Sequence, residues 1–357
     1  LTGRPFAAFD RTMSARPQTV LVLGAGVFGL SAAAALAAEG CDVVVLDPEP
    51  EAGGASAIAA GMLSPGFELA LASGSTPPEH AQVHRAAWEA WPAFARRFGL
   101  TLKRDGALWA GPAGDLRERF AAAGFPLEVV PDGLFAPQEG RVEPRPALAR
   151  LRAAVTAAGG RIVAGRASSV HGLGTGGAVN TPDGPIEADR IVVACGWSAA
   201  KLEGSLGPAP ASVRPIKGQI AVLKPLRAAP DRVVRGPGVY VVPREDGTVA
   251  VGATMEPGVA NRRVDPDVVA RLRDAAADLV PELAGAEIVR GEAGVRGASP
   301  DGLPLVGTVA AGVDVALAPR RNGWLLAPLV AGAVLASAKG ERPPFASALD
   351  PLRFSRE

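Results

Sequence analysis

At 357 residues the chain can bury a large core and is expected to form two domains, and its formal net charge of +1 excludes the electrostatic footprint that nucleic acid or an anionic lipid surface requires. Its two cysteines, Cys41 and Cys195, exclude a disulfide framework and point to a reducing cytoplasm. His80, His84 and His171 lie far from any second thiol or acid at ligand spacing; the His80/His84 pair is read as solvated, so no metal is assigned.

Residues 1–18 are polar and broken by proline. Residues 1–13 are expected to be a disordered extension, with Met13 a candidate natural start; Arg4, Arg11 and Arg16 lack the amphipathic pattern of a transit peptide. From Thr19 to Asp47 the pattern predicts strand, glycine turn, helix and strand. Val20 to Leu23 form an apolar, β-branched run suited to a strand buried on both faces. Gly24, Gly26 and Gly29 follow in GxGxxG spacing: the first permits the tight turn, the second lets a pyrophosphate approach the backbone, and the third lets helix pack on strand. The helix start presents free N–H groups and a positive dipole end to the anion, and Asp47 closes the second strand where a carboxylate can accept both ribose hydroxyls of an adenosine. The uncharged run from Thr19 to Ala38 is long enough to mimic a membrane span, but a glycine turn in its middle argues against one.

Pro48 to Leu69 read as a small-residue loop and helix against which a bulky planar group can lie. An amphipathic helix is predicted from Glu79 to Phe98, with Val83, Ala87, Trp91 and Phe94 on one side, then short strands around Leu100 to Ala110. Core packing is the default for Trp88 and Trp91, and residues 116–139 carry little signal. A helix from Glu143 to Ala158, a strand at Arg161 to Val163, a hairpin turning at Asp183 and Gly184, and a buried strand entering a glycine turn at Gly196 follow. Cys195 there reads as a small hydrophobe. Val239 to Val242 and Thr248 to Thr254 predict a second hairpin around Arg244 to Gly247, and Val264 to Leu283 a helix. Arg296 sits in small and apolar company, where an arginine needs a partner. Leu317 to Gly340 read as a glycine turn opening an apolar helix.

The segment AIAAGMLSP, with YVVPREDGTVAVGATME and the RRNG turn in the same order, resembles FAD-dependent amino acid oxidases of the D-amino acid oxidase superfamily, especially the glycine oxidase branch. The resemblance spans Val20 to about Lys339. It implies an α/β fold in which a Rossmann-like FAD-binding domain (14–76, 141–212 and 289–357) joins a mixed-sheet substrate domain (77–140 and 213–288). It also implies FAD contacts from Gly24, Gly26, Val27, Phe28, Gly29, Asp47, Pro48, Ala55, Ser56, Ala60, Gly61, Met62, Ala167 and Gly196, and from the Pro319, Arg320, Arg321, Asn322, Gly323, Trp324, Leu325 run. Binding is expected to be non-covalent, because Cys41 and Cys195 lie outside the regions where relatives attach the flavin.

By the same resemblance Tyr240, Arg296 and Arg321 hold the substrate carboxylate and Met255 lies near the pocket; the alternative for Tyr240 is a core-facing aromatic. The implied reaction is oxidation of glycine or another small amino acid or secondary amine, by hydride transfer from Cα to flavin N5, with O2 reduced to H2O2, as in thiazole formation for thiamine. Alternatives are a D-amino acid, proline or sarcosine dehydrogenase passing electrons to a quinone or partner protein, and a flavoprotein subunit without turnover. An NAD-dependent dehydrogenase is formally allowed by the glycine motif but leaves the C-terminal segments without a use. Two departures stand out: Gly297 where the family has proline, and Ala318, Pro319 and Arg320 where it has Gly-His-aromatic, which is expected to put rigidity and an extra cation beside the flavin. No chemical role follows for Lys217, and a homo-oligomer stays open.

Overall fold

The computed structural model describes residues 17–72 and 77–354; the expected extension at 1–13 and the boundary at 76 lie outside the described residues. The Thr19–Asp47 unit folds as its pattern predicts, as strand Thr19–Leu23, helix Val27–Ala38 and strand Asp42–Asp47. These strands belong to a six-stranded sheet in the order Leu305–Ala310, Val313–Leu317, Arg190–Val193, Thr19–Leu23, Asp42–Asp47, Arg161–Ala164. All pairings are parallel except that of the Leu305–Ala310 edge. Successive residues of the first strand enter opposite cores, Val20 and Val22 against the helices, Leu21 and Leu23 against the far side, which is why the run has no polar alternation.

The alanine-rich Val27–Ala38 helix is buried along nearly its whole length, because its small side chains let the equally apolar Gly323–Ala338 helix pack closely beside it. The Pro78–Phe98 helix lies against the latter, with Trp91 Nε1 donating to Leu325 O at 3.0 Å. Trp88 and Trp91 are both core residues.

The second large sheet has nine strands, ordered Glu256–Pro257, Arg214–Lys224, Val249–Gly252, Val239–Pro243, Val233–Gly236, Ala107–Trp109, Gly133–Ala136, Glu128–Val130, with Glu287–Ala298 also paired to Arg214–Lys224. The predicted hairpin is present, Pro243 opposite Val249. The helix expected over 264–283 is Pro266–Leu279, capped by Asp265, whose side chain accepts from the Asp267 and Val268 amides, and is followed by a 3-10 turn at Pro281–Leu283. Residues 116–139 contribute a helix, Leu116–Ala123, and two strands. The largest feature absent from the sequence reading is the length of Glu287–Ala298, which pairs antiparallel with eleven residues of Arg214–Lys224 and carries Arg296 near its end.

Candidate active site

The glycine motif builds a cradle at the C-terminal edge of the six-stranded sheet. Gly24 has φ +111°, and a Cβ there would stand 2.6 Å from Ala194 O; a Cβ on Gly29 would overlap the Gly24 carbonyl. Gly26 begins the helix without any side-chain cap of its own, and Ser56 Oγ accepts from Val27 N–H at 3.0 Å. Val27 and Phe28 are buried in the first turn. The Asp47 carboxylate reaches across the turn and accepts from Ala25 N–H and Glu49 N–H, each at 2.8 Å, and Pro48 directly follows the strand. Gly165 N–H bonds Asp47 O at 3.0 Å, which brings Ala167 just beyond the same edge, and Gly196, φ +61°, turns the chain at the end of the Arg190–Val193 strand. A helix start whose N-cap is a glycine, a backbone too close for any Cβ and an acid at the neighbouring strand's end fit the pyrophosphate and ribose of a dinucleotide.

Beside the cradle lies a cavity of about 400 Å³. One edge is the small-residue segment Ala55 to Met62, in helix Gly54–Ile58 and strand Met62–Leu63, together with Asn322 and Trp324 from the start of the C-terminal helix. Trp324 Nε1 donates to Ser56 O at 3.1 Å and so ties the two together. The roof is the nine-stranded sheet, where one transverse row places Trp109, Arg235, Tyr240, Gly252 and Ile220 side by side on neighbouring strands. All but Gly252 line the cavity. Along the Arg214–Lys224 strand Gly218 and Ile220 face it, whereas Lys217 points the other way and pairs with Glu256 at 3.3 Å.

Two roof glycines make room for the polar groups. The Arg296 guanidinium lies over Gly218, and the Tyr240 hydroxyl over Gly252, where a Cβ would stand 2.5 Å from it. Arg296 Nη1 donates to Thr254 O at 3.4 Å and lies 3.5 Å from Met255 Sδ; among the described residues the guanidinium has no carboxylate partner. Burial, partly opposed by Tyr240 and reinforced by Arg321, lowers the Arg296 pKa, and burial raises that of Tyr240 against the pull of Arg296 and Arg235.

Glu68, on the Pro65–Ala70 helix, is the cavity's one anion among the described residues. Its Oε1 accepts from Arg235 Nη2 at 3.3 Å, and its Oε2 lies 2.8 Å from Arg321 Nη2 as an ion pair whose angle makes no hydrogen bond. Burial pushes the Glu68 carboxyl up, but Arg321 and Arg235 together hold it below its ordinary value. Behind this helix the fully buried Glu139 accepts from Gly66 N–H and Phe67 N–H, and burial pushes it up to about 7. The sequence reading of His84 as solvated is corrected: it is buried, contacts Pro65 O at 3.4 Å, and is pushed down to about 4 by loss of water. Desolvation likewise pushes the Cys195 thiol up to about 12, leaving an inert small hydrophobe.

The cavity therefore gathers Tyr240, Met255, Arg296, Arg321, Ala55, Ala60, Gly61, Met62, Asn322 and Trp324. Arg320, φ +51°, is exposed and does not line it, and Pro319 sits in the turn before the Gly323–Ala338 helix. Sequence reasoning passed over Glu68, Arg235 and Trp109; the signal for each was a lone charge or aromatic in a short apolar run. Among the described residues no helix is long and apolar enough to cross a membrane, and no cluster of three or more His, Cys, Asp or Glu can hold a metal.

A dinucleotide cradle opening onto a roofed, cationic cavity is the layout of a cofactor-dependent redox enzyme. Residues 19–337 match the family described as FAD dependent oxidoreductase, and the chain belongs to that family, of D-amino acid oxidase type, with FAD as its cofactor. A glycine oxidase of Geobacillus kaustophilus (strain HTA426) is 28% identical over 371 residues, covering 94% of this chain and 96% of that protein. The bifunctional protein ThiO/ThiG of Trichormus variabilis is 30% identical, covering 88% of this chain and 52% of that longer protein. The crystal structure of glycine oxidase from Geobacillus kaustophilus shares the fold, with a TM-score of 0.83 at 24% identity over 94% of this chain and 99% of that one.

Proposed function

We propose that the protein oxidises glycine or another small amino acid or secondary amine to its imine, with O2 as acceptor and H2O2 as product. The observation that carries this reading is the Arg296 guanidinium, seated over Gly218 beside Tyr240 in the cavity roof with no carboxylate partner among the described residues. A substrate carboxylate completes it by a bidentate fork, with Tyr240 Oη as a third donor and Arg321 at the cavity edge. Bound FAD supplies the hydride acceptor. The protein's own contribution is orientation: the carboxylate anchor and the flanking Met255 and Ile220 fix where Cα lies. Excess guanidinium charge disfavours the ammonium form and so helps the amine lose its proton.

The six-stranded sheet with its helices serves as the FAD domain and the nine-stranded sheet as the substrate domain; because Glu287–Ala298 pairs with Arg214–Lys224 in the latter, the boundary expected at 289 is moved to follow Ala298. The FAD contacts are those implied by the sequence from Gly24 to Met62, at Ala167 and Gly196, and from Pro319 to Leu325, held without a covalent bond. The unpaired Cys41 and Cys195 suit a reducing cytoplasm. A relative of Rhizobium etli named putative thiamine biosynthesis oxidoreductase ThiO, 31% identical over 88% of this chain, supports a role in thiamine biosynthesis. The test is the flavin absorbance before and after anaerobic addition of glycine, sarcosine, D-alanine and D-proline, then air. Bleaching reversed by air with peroxide release is expected; a flavin that no amine bleaches would sink the proposal, and one that stays bleached in air would move it to a dehydrogenase.

A further inference from the structure

Among the described residues four charged side chains line the cavity: Arg235, Arg296, Arg321 and Glu68. Glu68 is shared between Arg235 at 3.3 Å and Arg321 at 2.8 Å, so one carboxylate serves two guanidiniums and none serves Arg296. Two positive charges remain in excess, and a single substrate carboxylate offsets only one of them. Arg235 is the residue whose presence the anchoring of one carboxylate does not explain. It stands directly opposite Tyr240 on the neighbouring strand, on the side away from Arg296, and opposite Trp109 on the next. Its side chain is 7% exposed, it lies over the Phe67 ring at 5.0 Å, and among the described residues its Nη1 has no hydrogen-bond acceptor. A buried guanidinium short of acceptors is costly, and an aliphatic residue in the same sheet row would avoid that cost.

On the reading that the cavity anchors an amino acid by its carboxylate, we propose that the substrate carries a second anionic group, received on the Arg235 side of Tyr240, so that amino and imino diacids are preferred to monoacids. A second carboxylate beside Arg235 neutralises the remaining excess charge in a medium where charge is poorly screened. The apolar Trp109 and Ile220 on either side of the Arg235–Tyr240 pair restrict the bound anion to the guanidinium edge.

The test needs no turnover. The FAD-loaded protein is titrated with acetate, malonate, succinate and glutarate, and binding is read from the shift of the flavin absorbance band. At least one dicarboxylate is expected to bind about tenfold or more tightly than acetate, the gain of one further charge-assisted contact. In Arg235→Met that ratio is expected to fall below about threefold, with Arg235→Lys retaining part of it. Equal affinity for all four in the wild type overturns the proposal, whether or not either variant folds. Anaerobic bleaching by amines tests the underlying function separately. A protein bleached by glycine that binds all four anions alike keeps the function and loses the subsite; one that binds a dicarboxylate tightly but is bleached by no amine keeps the subsite and loses the function.

Discussion

The substitution Gly218→Ala separates the anchor from the fold. Gly218 lies in the middle of the Arg214–Lys224 strand, hydrogen-bonded to Glu287–Ala298 on one side, and its φ is not in the left-handed region, so alanine can adopt its backbone. A Cβ there would lie 2.5 Å from Arg296 Cζ, while ordinary contact begins at 3.4 Å. The guanidinium must retreat by about 1 Å, and because it is the far end of a flexible side chain the retreat is cheap. The strand itself gains slightly, by about 0.5 to 1 kcal/mol, from losing a glycine. The melting temperature and FAD content should therefore hold or rise. Displacing a positioning group by about 1 Å costs on the order of 100-fold in kcat/KM, or about 2.7 kcal/mol. The assay is steady-state peroxide release alongside an acetate titration of the flavin spectrum. A variant with kcat/KM within about twofold of wild type and unchanged acetate affinity would refute the seating of Arg296 over Gly218 as the anchor.

Arg296→Ala should weaken carboxylate binding by about 3 to 5 kcal/mol, and ordinary turnover in that variant would end its assignment as anchor. Values of kcat/KM should rise with pH across the neutral range, because the reacting amine must be neutral; Glu68, held below its ordinary value by Arg321 and Arg235 against its burial, is already ionised there, so a flat profile contradicts the mechanism. Burial raises Glu139 from 4.5 to about 7, so the folded state holds that proton more tightly than the unfolded chain. The stability this contributes is complete below about 4.5 and lost as pH rises through about 7. Glu139→Gln, which keeps an acceptor for the Gly66 and Phe67 amides, should thus gain about 3 kcal/mol on wild type between those limits in denaturant titrations, and a constant difference would show that Glu139 does not titrate there. Acid precipitation should leave the flavin in the supernatant; a yellow pellet would reveal a covalent bond.

What could be read from the chain without coordinates was whatever is local. The GxGxxG turn, its flanking strands and Asp47 fall within 29 consecutive residues, and the order of hydrophobicity there admits one arrangement. The hairpin at Val239 and the helix after Asp265 likewise carry their own turn and cap chemistry. The cavity does not. Arg235 and Glu68 are 167 residues apart and meet only because the Pro65–Ala70 helix packs beneath a strand row set by long-range pairing. Gly218 and Gly252 looked like any glycine in a strand until the register put a guanidinium and a phenol over them.

The two places where the sequence was expected to depart from the family pattern, Gly297 and Ala318 to Arg320, meet in one turn, and Arg320 does not line the cavity. Gly297 O accepts from Arg320 N–H at 2.9 Å, and Ala298 bridges Pro319. A side chain at 297 would press on Val213 Cγ1 at 2.9 Å and on Trp197 N at 3.1 Å, so the small residue lets this bridge close. Ala318 and Arg320, with φ +60° and +51°, carry left-handed backbone on either side of the proline, a strain of about 1 to 2 kcal/mol each that the bridge and the proline hold in place. The turn so made sends the Arg320 side chain outward, toward Gly302, while Arg321 points inward to Glu68. The extra cation expected at Arg320 is therefore spent outside the cavity. Selectivity for a further negative charge has to be sought instead at Arg235, in the sheet that faces the substrate, where a change of charge alters the site without moving the turn before the C-terminal helix.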